Sequence, residues 1–96
     1  YMAIDHFGLT APGQSWQAID NGLVEIDGAC PVNASGGLIG VGHPVGATGA
    51  RLLLDAGRQV TGTAGDYQVA GARTYGTLNI GGSLGTVVSF VVGLRD

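Results

Sequence analysis

Seventeen residues, Asn33 to Gly49, dictate most of what this chain can become. They read Asn-Ala-Ser-Gly-Gly-Leu-Ile-Gly-Val-Gly-His-Pro-Val-Gly-Ala-Thr-Gly, with six glycines around one imidazole, His43, and no Asp, Glu, Lys or Arg. Each Gly surrenders the most backbone freedom on ordering and brings no side chain to bury. Such a run is tolerated where main chain turns tightly or passes close to something else. Glycines on both sides of His43 let the backbone approach a ligand, and Pro44 stiffens the residues after it. From Thr48 to about Thr61 the pattern turns helical, with Ala50, Leu53, Leu54 and Gly57 on one face and Arg51, Asp55 and Arg58 on another. Thr48 is the expected N-cap, so the glycine-rich run feeds a helix N-terminus whose partial positive charge favours anions and developing oxyanions. An imidazole there can donate a hydrogen bond to a carbonyl oxygen or exchange a proton near neutral pH.

Size sharpens this. A chain of 96 residues buries only about 60% of its unfolded surface, which is marginal for folding alone. Nineteen glycines without collagen periodicity thin the margin further, so a fragment or a subunit of a larger assembly is expected. With no Lys, four Arg and a net charge of -3, phosphate neutralisation has few cations, and nucleic acid is excluded as a partner. The hydrophobic share of 45% against 11% charged argues against a disordered acidic tail. No apolar run reaches the roughly 18 residues of a membrane span. The single cysteine, Cys30, rules out an internal disulfide framework and a Cys-rich zinc site, and reads as a small buried residue. No metal and no cofactor are expected. No signal peptide is visible, which leaves a reducing, cytoplasmic setting as the expectation, peroxisomal in a eukaryotic host.

Along the chain, Tyr1 to Phe7 reads as a strand edge, Gly8 to Gln14 as a loop, and Trp16 to Asn21 as a short helix capped by Ser15 and ended by Asn21-Gly22. Val24 to Ala29 reads as extended. Two strands are expected, Gly71 to Ile80 and Gly85 to Val92, joined tightly through Gly81-Gly82-Ser83. The second is β-branched and apolar on both faces, as a buried central strand would be.

The spacing of Asn33, Ser35-Gly36-Gly37-Leu38 and Gly42-His43-Pro44-Val45-Gly46-Ala47-Thr48-Gly49 resembles the signature of the thiolase superfamily, in wording nearest its sterol-carrier-protein type. Gly40 departs from it, where the family usually has Ser or Ala. The resemblance implies an α/β fold: the C-terminal part of a layered α-β-α half-domain with a mixed sheet, incomplete on its own. It covers residues 1–96 and implies acyl-CoA as substrate, with the thioester in place of any cofactor. His43 is then the hydrogen-bond donor at the thioester oxygen, and Gly42 and Pro44 are substrate-binding walls.

A second element, Asn79-Ile80-Gly81-Gly82-Ser83-Leu84-Gly85, resembles the turn that reads Cys-x-Gly-x-Gly in typical thiolases. Asn79 stands where the family's acid/base Cys stands and cannot ionise as a thiolate does. Gly81 and Gly82 are the implied substrate-facing glycines of this turn. At the start, Ile4-Asp5-His6-Phe7 resembles the family's Asn-Glu-Ala-Phe or His-Asp-x-Phe. Asp5 and Phe7 are in register, Ile4 fills the oxyanion position without a donor, and His6 is a further candidate. Tyr75 is another, as a phenolic acid/base. The family's nucleophilic Cys has no counterpart here, so an N-terminal thiolase half-domain or a complementary chain must bring it, in a homo- or hetero-oligomer. The implied reaction makes or breaks a carbon–carbon bond beside a CoA thioester. Two alternatives stand next to it: retro-aldol cleavage of a β-hydroxyacyl-CoA, and a non-catalytic module that binds acyl-CoA or lipid.

Overall fold

The computed structural model describes residues 1–95 and contains two compact units, Tyr1–Ala34 and a second that begins at Ser35. In the first unit, helix α1 spans Met2–His6 and helix α2 spans Trp16–Asp20. Residues 2–6 are therefore helical, not a strand edge. A short run of Met, Ala and Ile carries no period long enough to separate the two states, and local i→i−4 bonding decides here. Asp5 accepts a hydrogen bond from the Gly13 amide at 3.1 Å, which folds the Gly8–Gln14 loop back onto α1. Helix α2 begins after Ser15 and stops at Asn21, followed by Gly22 at φ 72°, as the αL stop signal requires. Residues 24–29 form successive turns rather than an extended segment. Cys30 is half-buried, not buried.

In the second unit, helix α3 (Gly37–Val41) lies inside the glycine-rich run, followed by helix α4 (Thr48–Thr61), a 3-10 turn (Gly65–Tyr67), strand β1 (Thr74–Gly81) and strand β2 (Thr86–Gly93). The strands pair antiparallel, from Thr74 opposite Gly93 to Gly81 opposite Thr86. The described residues thus supply a hairpin, not the whole of a mixed sheet. Helix α4 packs on both strands. Opposed residues share a face, so Tyr75, Thr77 and Asn79 lie on one side together with Val92, Phe90 and Val88.

One sequence expectation is reversed here. Strand β2 is not buried on both faces: Val92 is half-buried, and the rest are exposed, Val91 at 79%. Of the two faces of helix α4, the structure buries the more polar. Thr48, Asp55, Ala56, Gln59 and Val60 are its buried residues, while Leu53 and Leu54 are exposed. Amphipathic periodicity locates two faces but not which one the local partner takes. Among the described residues the buried apolar side chains are only Ala18, Ala56, Val60 and Ala64, and the side-chain hydrogen bonds of α4 reach the segments before and after it, at Ser35, His43 and residues 67–69.

Gln59 is the largest fully buried side chain, and every polar atom it carries is used. Its Nε2 donates to the Tyr67 carbonyl at 2.6 Å, and its Oε1 accepts from the Val69 amide at 2.8 Å and from Gln68 Nε2 at 3.1 Å. The side chain thereby acts as a strand partner for residues 67–69 and fixes where β1 begins. Truncation orphans a buried carbonyl and a buried amide, each costing about 1–3 kcal/mol. Gln59→Ala is expected to destabilise the protein by about 2–4 kcal/mol, read as a lowered denaturation midpoint in urea.

Candidate active site

His43 leaves the end of α3 on a backbone that only glycine adopts readily. Gly36 precedes α3 at φ 101° and Gly42 follows it at φ 81°. A Cβ on Gly36 would also stand 3.2 Å from the Gly40 Cα. Those two positions account for glycine by conformation and contact together.

The imidazole is anchored by α4. His43 Nδ1 lies 2.7 Å from Thr48 Oγ1, and Thr48 Oγ1 donates to the Pro44 carbonyl at 3.1 Å. A threonine hydroxyl carries one proton. With the hydroxyl proton on the Pro44 carbonyl, His43 Nδ1–H is the donor to Thr48 and Nε2 keeps the ring's lone pair. With that proton directed at Nδ1, Thr48 is the donor and Nε2–H is the free donor of the ring. Thr48 is the first residue of α4, after Ala47 as N-cap, so its hydroxyl fixes the ring rather than capping the helix.

A groove of about 440 Å³ opens beside this ring. His43, Asn79, Gly81 and Thr48 line it together with apolar side chains that include Leu38, Val45, Leu52 and Val88. The two motifs, 36 residues apart at His43 and Asn79, are thus brought to one concavity. Gly49 leaves room for the carboxamide: a Cβ there would sit 3.5 Å from Asn79 Nδ2. Gly42 and Pro44 flank His43 in the chain, and Gly82 follows Gly81 into the turn; these three do not line the groove.

Tyr75 lies outside the lining as well. It shares the Asn79 face of β1 four residues away, about 13 Å along a strand. Burial, and next the charge of Asp55, push its phenol above the ordinary tyrosine range. His6 belongs to the first unit, where its Nδ1 lies 2.7 Å from the Met2 carbonyl and the ring is exposed. Sequence reasoning missed Thr48 as the partner of His43 and Asp55 as a buried centre. Asp55 Oδ2 accepts from Ser35 Oγ at 2.7 Å and from Arg51 Nη1 at 3.4 Å, and Oδ1 accepts from the Tyr67 hydroxyl at 3.4 Å. The available signal was Asp55 seven residues after Thr48, which puts both on one helical face. No three His, Cys, Asp or Glu side chains are placed to share a metal ion among the described residues. No helix among them is long and apolar enough to cross a membrane.

Comparison with known proteins identifies the family. The profile of the thiolase C-terminal domain-like family covers residues 1–94. The chain belongs to the thiolase superfamily. An acetyl-CoA acetyltransferase of Methanothermobacter thermautotrophicus is 44% identical over 85 residues, 88% of this chain and 22% of that protein. Sterol carrier protein 2 of Rattus norvegicus is 36% identical over 96 residues, 99% of this chain and 18% of the relative. A non-specific lipid-transfer protein-like 2 of Caenorhabditis elegans is 36% identical over 93 residues, 96% and 23% of the two chains. This thiolase segment spans about a fifth of the length of the curated relatives it matches.

Two measurements probe the site. Thr48→Val removes the hydroxyl that partners Nδ1, whereas Thr48→Ser keeps it. In ¹⁵N spectra of the histidine rings, the Val variant should show His43 as a mixture of both neutral tautomers, and the Ser variant should keep a single one. Raised folded-state ionisation of Tyr75 means that the folded form holds its proton longer than the unfolded form. Stability therefore falls as pH rises above about 10, where the unfolded phenol ionises first. Tyr75→Phe should flatten part of that fall in urea titrations between about pH 9 and 11.

Proposed function

We propose that this segment supplies the histidine wall of an acyl-CoA site, in which a carbon–carbon bond beside a CoA thioester is made or broken. The observation that carries the reading is the groove that His43 and Asn79 line together, with the imidazole anchored on Thr48. The relatives' names supply the substrate class, since one is an acetyl-CoA acetyltransferase.

In this reading, the nucleophilic thiol comes from the polypeptide that completes the fold. Nε2 of His43 takes the thiol proton, and the thiolate attacks the thioester carbonyl. The imidazolium formed now has a donor at Nε2 and stabilises the oxygen of the tetrahedral intermediate. When the intermediate collapses, the CoA sulfur leaves and recovers the proton from Nε2, giving an acyl-enzyme. A second acyl-CoA then loses its α-proton to Nε2, and its α-carbon attacks the acyl-enzyme to form the carbon–carbon bond. The enzyme thiolate leaves and regains that proton. Thr48 holds the ring throughout, because Nδ1–H donates in both protonation states. Gly81 provides close backbone in the groove and the apolar side chains receive the acyl group, while Gly42, Pro44 and Gly82 shape the turns that carry His43 and Gly81. The complete protein is proposed to be a homo- or hetero-oligomer.

A second reading, retro-aldol cleavage of a β-hydroxyacyl-CoA, is favoured by Asn79. Its carboxamide can hold an oxygen but cannot accept the α-proton as a thiolate would. Here Nε2 takes the β-hydroxyl proton, the Cα–Cβ bond breaks to a carbonyl and a thioester enolate, and the enolate regains the proton from Nε2. The lipid-transfer relative keeps a binding role without turnover as the third outcome.

The assembled protein should be assayed with acetoacetyl-CoA and with a β-hydroxyacyl-CoA. His43→Ala is expected to lower turnover on the favoured substrate about a hundredfold or more, with KM little changed. Activity on neither substrate with intact acyl-CoA binding would leave the binding role. Full turnover in His43→Ala would remove the imidazole from the chemistry.

A further inference from the structure

We propose that Asp55 is a positioning residue for His43: through Ser35, its carboxylate fixes the near end of the arm whose far end carries the imidazole. This rests on the reading of His43 given above and adds a residue to the same site.

Asp55 is the one charged side chain among the buried residues described, at 5% exposure. A buried carboxylate is costly unless its oxygens are occupied, and packing alone would be better served by an apolar residue. Here both oxygens are engaged. The shortest bond, 2.7 Å, comes from Ser35 Oγ, 20 residues earlier in the chain. Arg51, one turn before Asp55, supplies the counter-charge at 3.4 Å, and Tyr67 closes the other side. A hydrogen bond to an ionised acceptor is about twice as strong as a neutral one, so the charge is placed where a loop has to be gripped.

The gripped loop is the arm that ends in His43. Ser35 is followed by Gly36 at φ 101° and Gly37 at φ 59°, then the rest of α3, then Gly42 at φ 81°. Glycine joints at both ends give the five-residue helix no side-chain restraint on its angle. Two hydrogen bonds supply the restraint instead. Ser35 is held by Asp55 and His43 by Thr48. Thr48 and Asp55 are seven residues apart on one buried face of α4, about 10 Å along the axis. One rigid helix therefore fixes both ends of the arm, and releasing Ser35 leaves the imidazole tethered at a single point.

The test uses the assembled protein and measures kcat and KM on the favoured acyl-CoA substrate for Ser35→Ala, Asp55→Ala and Asp55→Asn, each with and without His43→Ala. Ser35→Ala and Asp55→Ala should lower kcat about ten- to a hundredfold, as misplacement of a catalytic group does, with KM little changed. Asp55→Asn keeps an acceptor and should recover part of the loss. In the His43→Ala background neither variant should lower kcat further. Full kcat in Ser35→Ala, or the same loss repeated on top of His43→Ala, would overturn the proposal. If Asp55→Ala does not fold, Ser35→Ala carries the test alone. If His43→Ala itself retains full turnover, the functional reading fails separately. The arm is then judged by the ¹⁵N ring signals of His43, where a shifted Nδ1–H signal in Ser35→Ala supports the tether and an unchanged one refutes it.

Discussion

One hydroxyl proton governs the site. Thr48 Oγ1 stands between the Pro44 carbonyl and His43 Nδ1, and where its proton lies sets the tautomer of His43. Thr48 is buried on α4, which packs on the hairpin, so the position of this hydroxyl is fixed by helix packing. The glycine-rich run contributes shape; its chemistry is settled by the side chains α4 presents to it.

That arrangement explains why a helix with leucines on one side buries its polar side. Thr48, Asp55 and Gln59 each satisfy a segment that has no regular partner of its own: the His43 turn, the start of the arm, and the lead into β1. Backbone groups and hydroxyls in irregular segments must be paired when buried, and side chains from one rigid helix do this at fixed spacing. Arg51 is the exception. Its Nε and Nη2 are buried without a hydrogen-bond partner among the described residues, while Nη1 serves Asp55.

Much of this was legible in the sequence, and unevenly so. The limits of α4 and of β2, and the end of β1, came from periodicity, β-branching and the Gly81–Gly85 turn, because those signals are local; β1 begins at Thr74 rather than at the expected Gly71. The thiolase signature placed His43, and the hairpin turn placed Asn79; their meeting in one groove needed the fold. Strand Tyr1–Phe7 failed because a short apolar-rich run fits either state. Burial of β2 failed because its sequence records the environment of a complete sheet, whereas the described residues supply one neighbour, β1. The inward face of α4 was not legible, because hydropathy ranks side chains by transfer from water and this face is selected by hydrogen-bonding partners. Asp55 shares a helical face with Arg51 and Arg58 in the sequence, and only the distance to Ser35 distinguishes it.

Leu53, Leu54, Val87 and Val91 all point away from the contacts that hold this segment together. Water is a poor neighbour for them. The consequence is one of solubility: left uncovered, this apolar face is where copies of the segment would stick to one another.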